Sequence, residues 1–170
     1  MRRTKYAILL LILSLVLTGC GIFTPSEQEL QDSIPTLSLT AGRYRYQIPT
    51  GGYSWSVYNR FGGGSHMATD TAHPLQAVDD LTAVSLTGGE TVTLTFSRTP
   101  DTVEVTYWSV GDEVGSQGTS LETSFLDDSF LFTAPEETTD LVFQITAQWT
   151  SYEDVGGTVS YLFTTAVSEE

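Results

Sequence analysis

Cysteine is almost absent from this chain of 170 residues, the only one being Cys20. No disulfide can form within the folded part, so its core must hold by burial alone. Basic residues are nearly as scarce. Lys5 is the only lysine, and beyond Cys20 just Arg43, Arg45, Arg60 and Arg98 stand against 21 acids, a net charge of about −17. Phosphate backbones are gripped by clustered Lys and Arg, so nucleic acid is excluded as a partner. Anionic lipid head groups would repel such a surface as well. The apolar run from about Ala7 to Val16 falls short of the roughly 20 residues that cross a bilayer. No segment of ten or more residues carries a helical apolar period, which excludes a helix bundle. No Gly-x-Ser-x-Gly occurs, and no carboxylate pair sits in a recognisable catalytic context, so an enzyme is not expected.

What the chain does have is alternation. Polar and apolar residues take turns in Arg43–Ile48, Tyr53–Val57, Thr91–Phe96, Thr102–Trp108, Ser129–Phe132, Leu141–Trp149 and Thr158–Thr164. Side chains on a strand point alternately to opposite faces, so each run predicts one buried and one wet face. Threonine, valine and aromatics dominate these runs, as strands favour. Turn signals separate them: Gly51-Gly52, Gly88-Gly89, Thr99-Pro100-Asp101, Gly111-Asp112 and Gly156-Gly157. The pattern predicts one antiparallel β-sandwich over 37–168, immunoglobulin-like, with seven to nine strands and no disulfide. Residues 20–36, with Pro25, Ser26, Glu27, Glu29, Asp32 and Pro35, read as a flexible tether.

The alternation breaks between Asn59 and Val78, where Gly62-Gly63-Gly64 opens a long loop, with at most a helical turn at Pro74–Leu81. Long loops in compact domains are often functional. This one holds both histidines, His66 and His73, with Asp70 between them. Two imidazoles and a carboxylate are transition-metal ligand types. Their spacing fits no standard zinc pattern, so a solvent-exposed pair is expected and no metal site is assigned. Among the aromatics, Trp55 shares parity with Tyr53 and Val57 and is expected in the core. Trp108 and Trp149 each end a strand. Their default place is also the core, although a ring at a strand end can lie half exposed and stack on a sugar or a partner. Calcium takes carboxylate and carbonyl oxygens. The acid pairs Asp79-Asp80, Asp127-Asp128, Glu136-Glu137 and Glu153-Asp154 lack the Asp-x-Asp-x-Asp-Gly spacing of a calcium loop. Acidity is read first as a solubilising surface, with calcium as a secondary reading.

The N-terminal segment has the three parts of a secretory signal: Arg2, Arg3 and Lys5, the apolar run, then small residues. Those small residues run directly into cysteine as Leu17-Thr18-Gly19-Cys20. This resembles the lipobox of bacterial lipoproteins. The resemblance implies that residues 1–19 are cleaved, that Cys20 carries a diacylglycerol and that its amino group accepts a further chain such as palmitate. It also implies that the protein is held by lipid on the outer side of the bacterial cell membrane. Two or more acyl chains hold a protein stably, whereas one does so only marginally.

The order Gly52-Tyr53-Ser54-Trp55, Gly88 to Pro100, Trp108, Ala147-Gln148-Trp149 and Tyr161-Leu162-Phe163 resembles a domain of small lipoproteins in Gram-positive bacteria. That likeness implies an extracytoplasmic β-sandwich and carries no activity. Ile48-Pro49-Thr50-Gly51-Gly52-Tyr53-Ser54-Trp55, with Gly88-Gly89 as a second loop, is similar to the chagasin-type inhibitors of cysteine proteases. Here Ile48 stands where those proteins carry asparagine, and their Arg-Pro-Trp loop has no counterpart. The expected role is a non-catalytic, monomeric binding module for a surface protein or a cell-wall polymer. Cysteine protease inhibition through Pro49, Tyr53 and Trp55, or a calcium-stiffened spacer, are the alternatives.

Overall fold

The structure is a computed structural model that describes residues 25–58, 63–70 and 72–165. In chain order its elements are α1 (Glu27–Asp32), β1 (Leu37–Ala41), β2 (Tyr44–Ile48), β3 (Thr50–Tyr58), β4 (Gly64–Thr69), β5 (Thr82–Val84), β6 (Thr91–Phe96), β7 (Thr102–Ser109), β8 (Thr119–Leu121), β9 (Ser124–Leu126), β10 (Ser129–Thr133), β11 (Leu141–Trp149) and β12 (Val155–Thr165). Two sheets result. One runs β2-β1-β6-β10-β9, the other β4-β3-β12-β11-β7-β8. Lettering β1, β6, β7, β9, β10, β11 and β12 as A to G gives A-B-E-D in the first sheet and G-F-C in the second. That is the immunoglobulin sandwich order. Among the described residues the strands number twelve, above the seven to nine expected, because β2, β3, β4, β5 and β8 add to the seven lettered strands. The sandwich is also not wholly antiparallel, since β5 runs parallel to the end of β12.

The alternation does what the pattern predicts. Val92, Leu94 and Phe96 of β6 are buried while Thr91, Thr93 and Thr95 are less so. Val103 and Val105 of β7 face the same core. Each fully buried aliphatic or phenyl side chain contributes about 1.5–3 kcal/mol. Aromatic rings fill the centre. Trp55 and Trp149 meet edge to face at 5.4 Å, Phe96 meets Trp149 at 6.0 Å, and Phe143 stacks on Phe163 at 4.7 Å. Such pairs add about 0.5–1.5 kcal/mol beyond their burial. Gly157 on β12 lies opposite Trp55. A Cβ there would collide with the Ser54 carbonyl oxygen, and its φ of +150° is one that side chains resist.

Residues 25–36 are not a free tether, contrary to the sequence expectation. Ser26 and Glu29 form a reciprocal capping box that starts α1. Hydrogen bonds from the Ser26 backbone amide and then from its hydroxyl, both to Glu29 Oε2, hold the Glu29 carboxyl below its usual range. Leu30 is buried and Ile34 joins the main core. The Trp55 indole donates to Ser33 Oγ at 2.9 Å, and the Tyr161 hydroxyl donates to the Pro35 carbonyl at 2.6 Å. Apolar anchors four residues apart and two hydrogen bonds from core aromatics dock the segment on the sandwich. The expected leader, 1–19, and the expected lipid site Cys20 lie outside the described residues. Among the described residues no helix is long and apolar enough to cross a membrane.

Candidate functional site

The sequence makes one face of each sheet wet, yet part of the outer face of the larger sheet is covered. On β7 the core-facing parity is Val103, Val105 and Tyr107, which puts Trp108 on the outside. Its antiparallel partner Val142 and the nearby Leu162 share that outer parity, and all three are buried. The cover comes from Ala72–Leu81, a strap of two 3₁₀ turns at Pro74–Gln76 and Val78–Asp80. The first turn lies on β11. Pro74 is buried, and His73 accepts from the Leu75 amide at 3.4 Å while its ring meets Trp108 edge to face at 5.5 Å. From the other side the Trp108 indole donates to the Ser116 carbonyl at 3.0 Å. Gly118 lies flat against the ring, where a Cβ would come within 2.5 Å of Cε2.

Between the strap and the start of β3 there is a cavity of about 300 Å³. Ile48 ends a strand of one sheet and Thr50 begins a strand of the other, so Pro49 is a corner where the chain changes sheets. Ser160 fixes that corner, accepting from the Gly52 amide at 3.0 Å and donating to the Gly52 carbonyl at 2.9 Å. The pairing of β12 with β3 shifts register between Val159 and Tyr161 at the same place. Pro49 and Gly51 form one wall of the cavity, Ala77 and Leu81 another, and Leu162 lines it from the sheet. Asp70 and Asp80 also line it and are exposed. The arrangement offers an apolar pocket bordered by two carboxylates, suited to a small group with an apolar body and a cationic end.

The residues singled out from sequence are only partly brought together. Pro49 and Asp70 do come together, at the cavity. His66 does not join them. It is exposed on β4, its Nδ1 3.0 Å from Ser56 Oγ, while His73 sits under Trp108. Among the described residues no three His, Cys, Asp or Glu side chains cluster closely enough to hold a metal ion. Trp149 is 1 % exposed, and its indole donates to the Arg98 carbonyl, so it is core and not a half-exposed strand end. Trp108 is 8 % exposed and equally unavailable for stacking. Tyr53 and Trp55 lie within β3, Tyr53 half-buried and Trp55 fully buried as expected, so Pro49–Trp55 is a corner and a strand and not the loop that the inhibitor alternative would use.

Leu81, Leu162 and Asp80 were missed as site residues. Leu162 was visible as part of an aromatic-rich strand, but only the strap over it makes it a site residue. Asp101 also emerges with a strongly lowered pKa, about 2, because Ser151 and then Thr150 donate hydrogen bonds to its carboxylate. It ties the β6–β7 turn to the β11–β12 turn and has a structural role. The chain matches no family model, no curated protein and no solved structure.

Proposed function

We propose that this protein is a lipid-anchored, extracytoplasmic binding module without catalytic activity, and that the cavity beside Pro49 is where it binds. The observation that carries this reading is the cavity itself. A strap folded over an otherwise wet sheet face leaves an apolar pocket with Asp70 and Asp80 beside it. Ligand sites are typically concave, mostly apolar and supplied with a few polar groups that orient the ligand. The matching ligand is a cationic, partly apolar group presented by a surface protein or by an amine-bearing wall polymer. Anchoring through Cys20 rests on the Leu17-Thr18-Gly19-Cys20 sequence. With α1 docked on the sandwich, about six residues link Cys20 to the folded part, a reach of at most about 20 Å. The domain would therefore work close to the membrane surface.

The test is co-sedimentation of the soluble chain with purified envelope fragments, comparing wild type with Ala77→Arg. Ala77 lines the cavity, so an arginine there fills it and also neutralises the neighbouring carboxylates. Sedimentation of wild type that the variant loses supports the reading. Equal sedimentation of both, or of neither, contradicts it.

A further inference from the structure

The smaller sheet ends in two open edges of opposite character. Along one edge runs β2, where Tyr44 and Arg45 and, in the turn just before them, Arg43 are all exposed. The Arg43 guanidinium lies 5.0 Å over the Tyr44 ring and donates to its hydroxyl at 2.8 Å. Arg98 is paired with Asp154 at 3.2 Å. Arg43 and Arg45 are thus the cations without a carboxylate partner among the described residues, and they sit together on a chain of strongly negative charge. Along the opposite edge runs β9, exposed throughout. Phe125 and Leu126 are 55 % and 59 % exposed, on opposite faces of the strand. The turn that follows holds Asp127 and Asp128, both with positive φ, which brings two carboxylates to the end of that edge.

We propose that the β2 edge of one molecule receives the β9 edge of a second copy, so that the smaller sheet continues from copy to copy. Three features of the molecule favour this occupant. Open strand edges present unpaired backbone groups that a further strand can satisfy. The chemistry is complementary: arginines and a tyrosine on one edge, carboxylates and exposed apolar side chains on the other. Pairing of like edges is disfavoured, because β2 against β2 sets four arginines together and β9 against β9 sets four aspartates together. A head-to-tail contact between different edges builds rows, or a ring where the rotation closes, and not a two-fold dimer. Net charge opposes association at long range. At physiological salt the screening length is about 8 Å, so pairs in direct contact outlast that repulsion.

Sedimentation velocity on the chain from residue 21 onward, which keeps every element of the sandwich, tests the proposal at physiological salt. Wild type should form a ladder of species as concentration rises. Arg43→Glu/Arg45→Glu, with its β2 edge blocked, and Leu126→Ser, whose β9 edge loses its exposed apolar contact without gaining charge, should each remain monomeric. Mixed one to one, the two variants should give a species of twice the monomer mass and nothing larger, since each keeps the edge that the other lacks. That result also shows that both variants are folded. If Leu126→Ser fails to fold by near-ultraviolet circular dichroism, Leu126→Ala takes its place. Wild type that stays monomeric at millimolar concentration overturns the proposal. So does association of either variant alone, or a mixture that stays monomeric while wild type associates. Arginine-dependent binding of polyglutamate by an otherwise monomeric chain would assign the β2 edge to an anionic polymer and overturn it equally.

Discussion

Removing a single oxygen at Tyr161 probes how the N-terminal segment is held. Tyr161 is fully buried, its ring meets Phe96 at 5.8 Å, and its hydroxyl donates to the Pro35 carbonyl at 2.6 Å. Tyr161→Phe keeps the ring and orphans that carbonyl in a dry site. Leaving a buried polar group unpaired costs about 1–3 kcal/mol. For a domain of this size each kcal/mol moves Tm by roughly 4 °C, so calorimetry should record a fall of roughly 4–12 °C. Hydrogen exchange should rise first in 26–36, since the lost bond is one of those that dock this segment. The exposed Tyr44 is the control, and Tyr44→Phe should stay within about 0.5 kcal/mol of wild type. The same burial raises the Tyr161 pKa far above its ordinary 10.0. The folded state thus keeps this proton where the unfolded state loses it. Stability from this group is intact below about pH 10 and declines as pH rises above it. A Tyr161→Phe variant as stable as wild type, with unchanged exchange in 26–36, would refute the docking described here.

Other expectations follow from close contacts and hydrogen bonds. Gly157→Ala should cost about 3 kcal/mol or more by urea denaturation, from the collision with Ser54 and the strained φ together. Gly111→Ala, which meets nothing within 4 Å, should be nearly neutral. Asp101 has a folded pKa of about 2 against 3.8, so its contribution is present above pH 3.8 and is lost as pH falls from there toward 2. Asp101→Asn should flatten that part of the acid unfolding curve measured by fluorescence. Acrylamide should quench none of the three tryptophans efficiently in the native protein, because all are buried. Gly118→Val should push the 110–118 loop off Trp108 and make one of them quenchable.

The sandwich was legible because alternation is a local property. In Thr91–Phe96 and Leu141–Trp149 the parity that looks apolar in the sequence is the parity that is buried. Strand β4 was not legible. Gly64–Thr69 has no apolar face, and it is a strand because its backbone pairs with β3. The docked N-terminal segment carried a signal that charge and proline obscured, namely Ser26-x-x-Glu29 followed by Leu30 and Ile34 four residues apart. The location of Trp108 was the hardest to read. Its parity is outward, as the alternation of β7 implies, but its burial depends on a strap about 30 residues earlier and on a loop that follows it. No periodicity along β7 encodes either cover. The cavity shares this origin, since the Pro49 corner, the strap and Leu162 meet only in three dimensions.

Photo-crosslinking of the full chain in the membranes of its own cells tests the proposed binding site most directly. Amine-reactive reagents would find no lysine beyond Cys20. The photoreactive residue belongs at Ala72, which is exposed and lines the cavity, with a second probe at Thr119 on the opposite edge of the same sheet as a control. One dominant adduct is expected from position 72 that position 119 does not give and that Ala77→Arg abolishes. No adduct at position 72, or the same adducts from both positions, would contradict it.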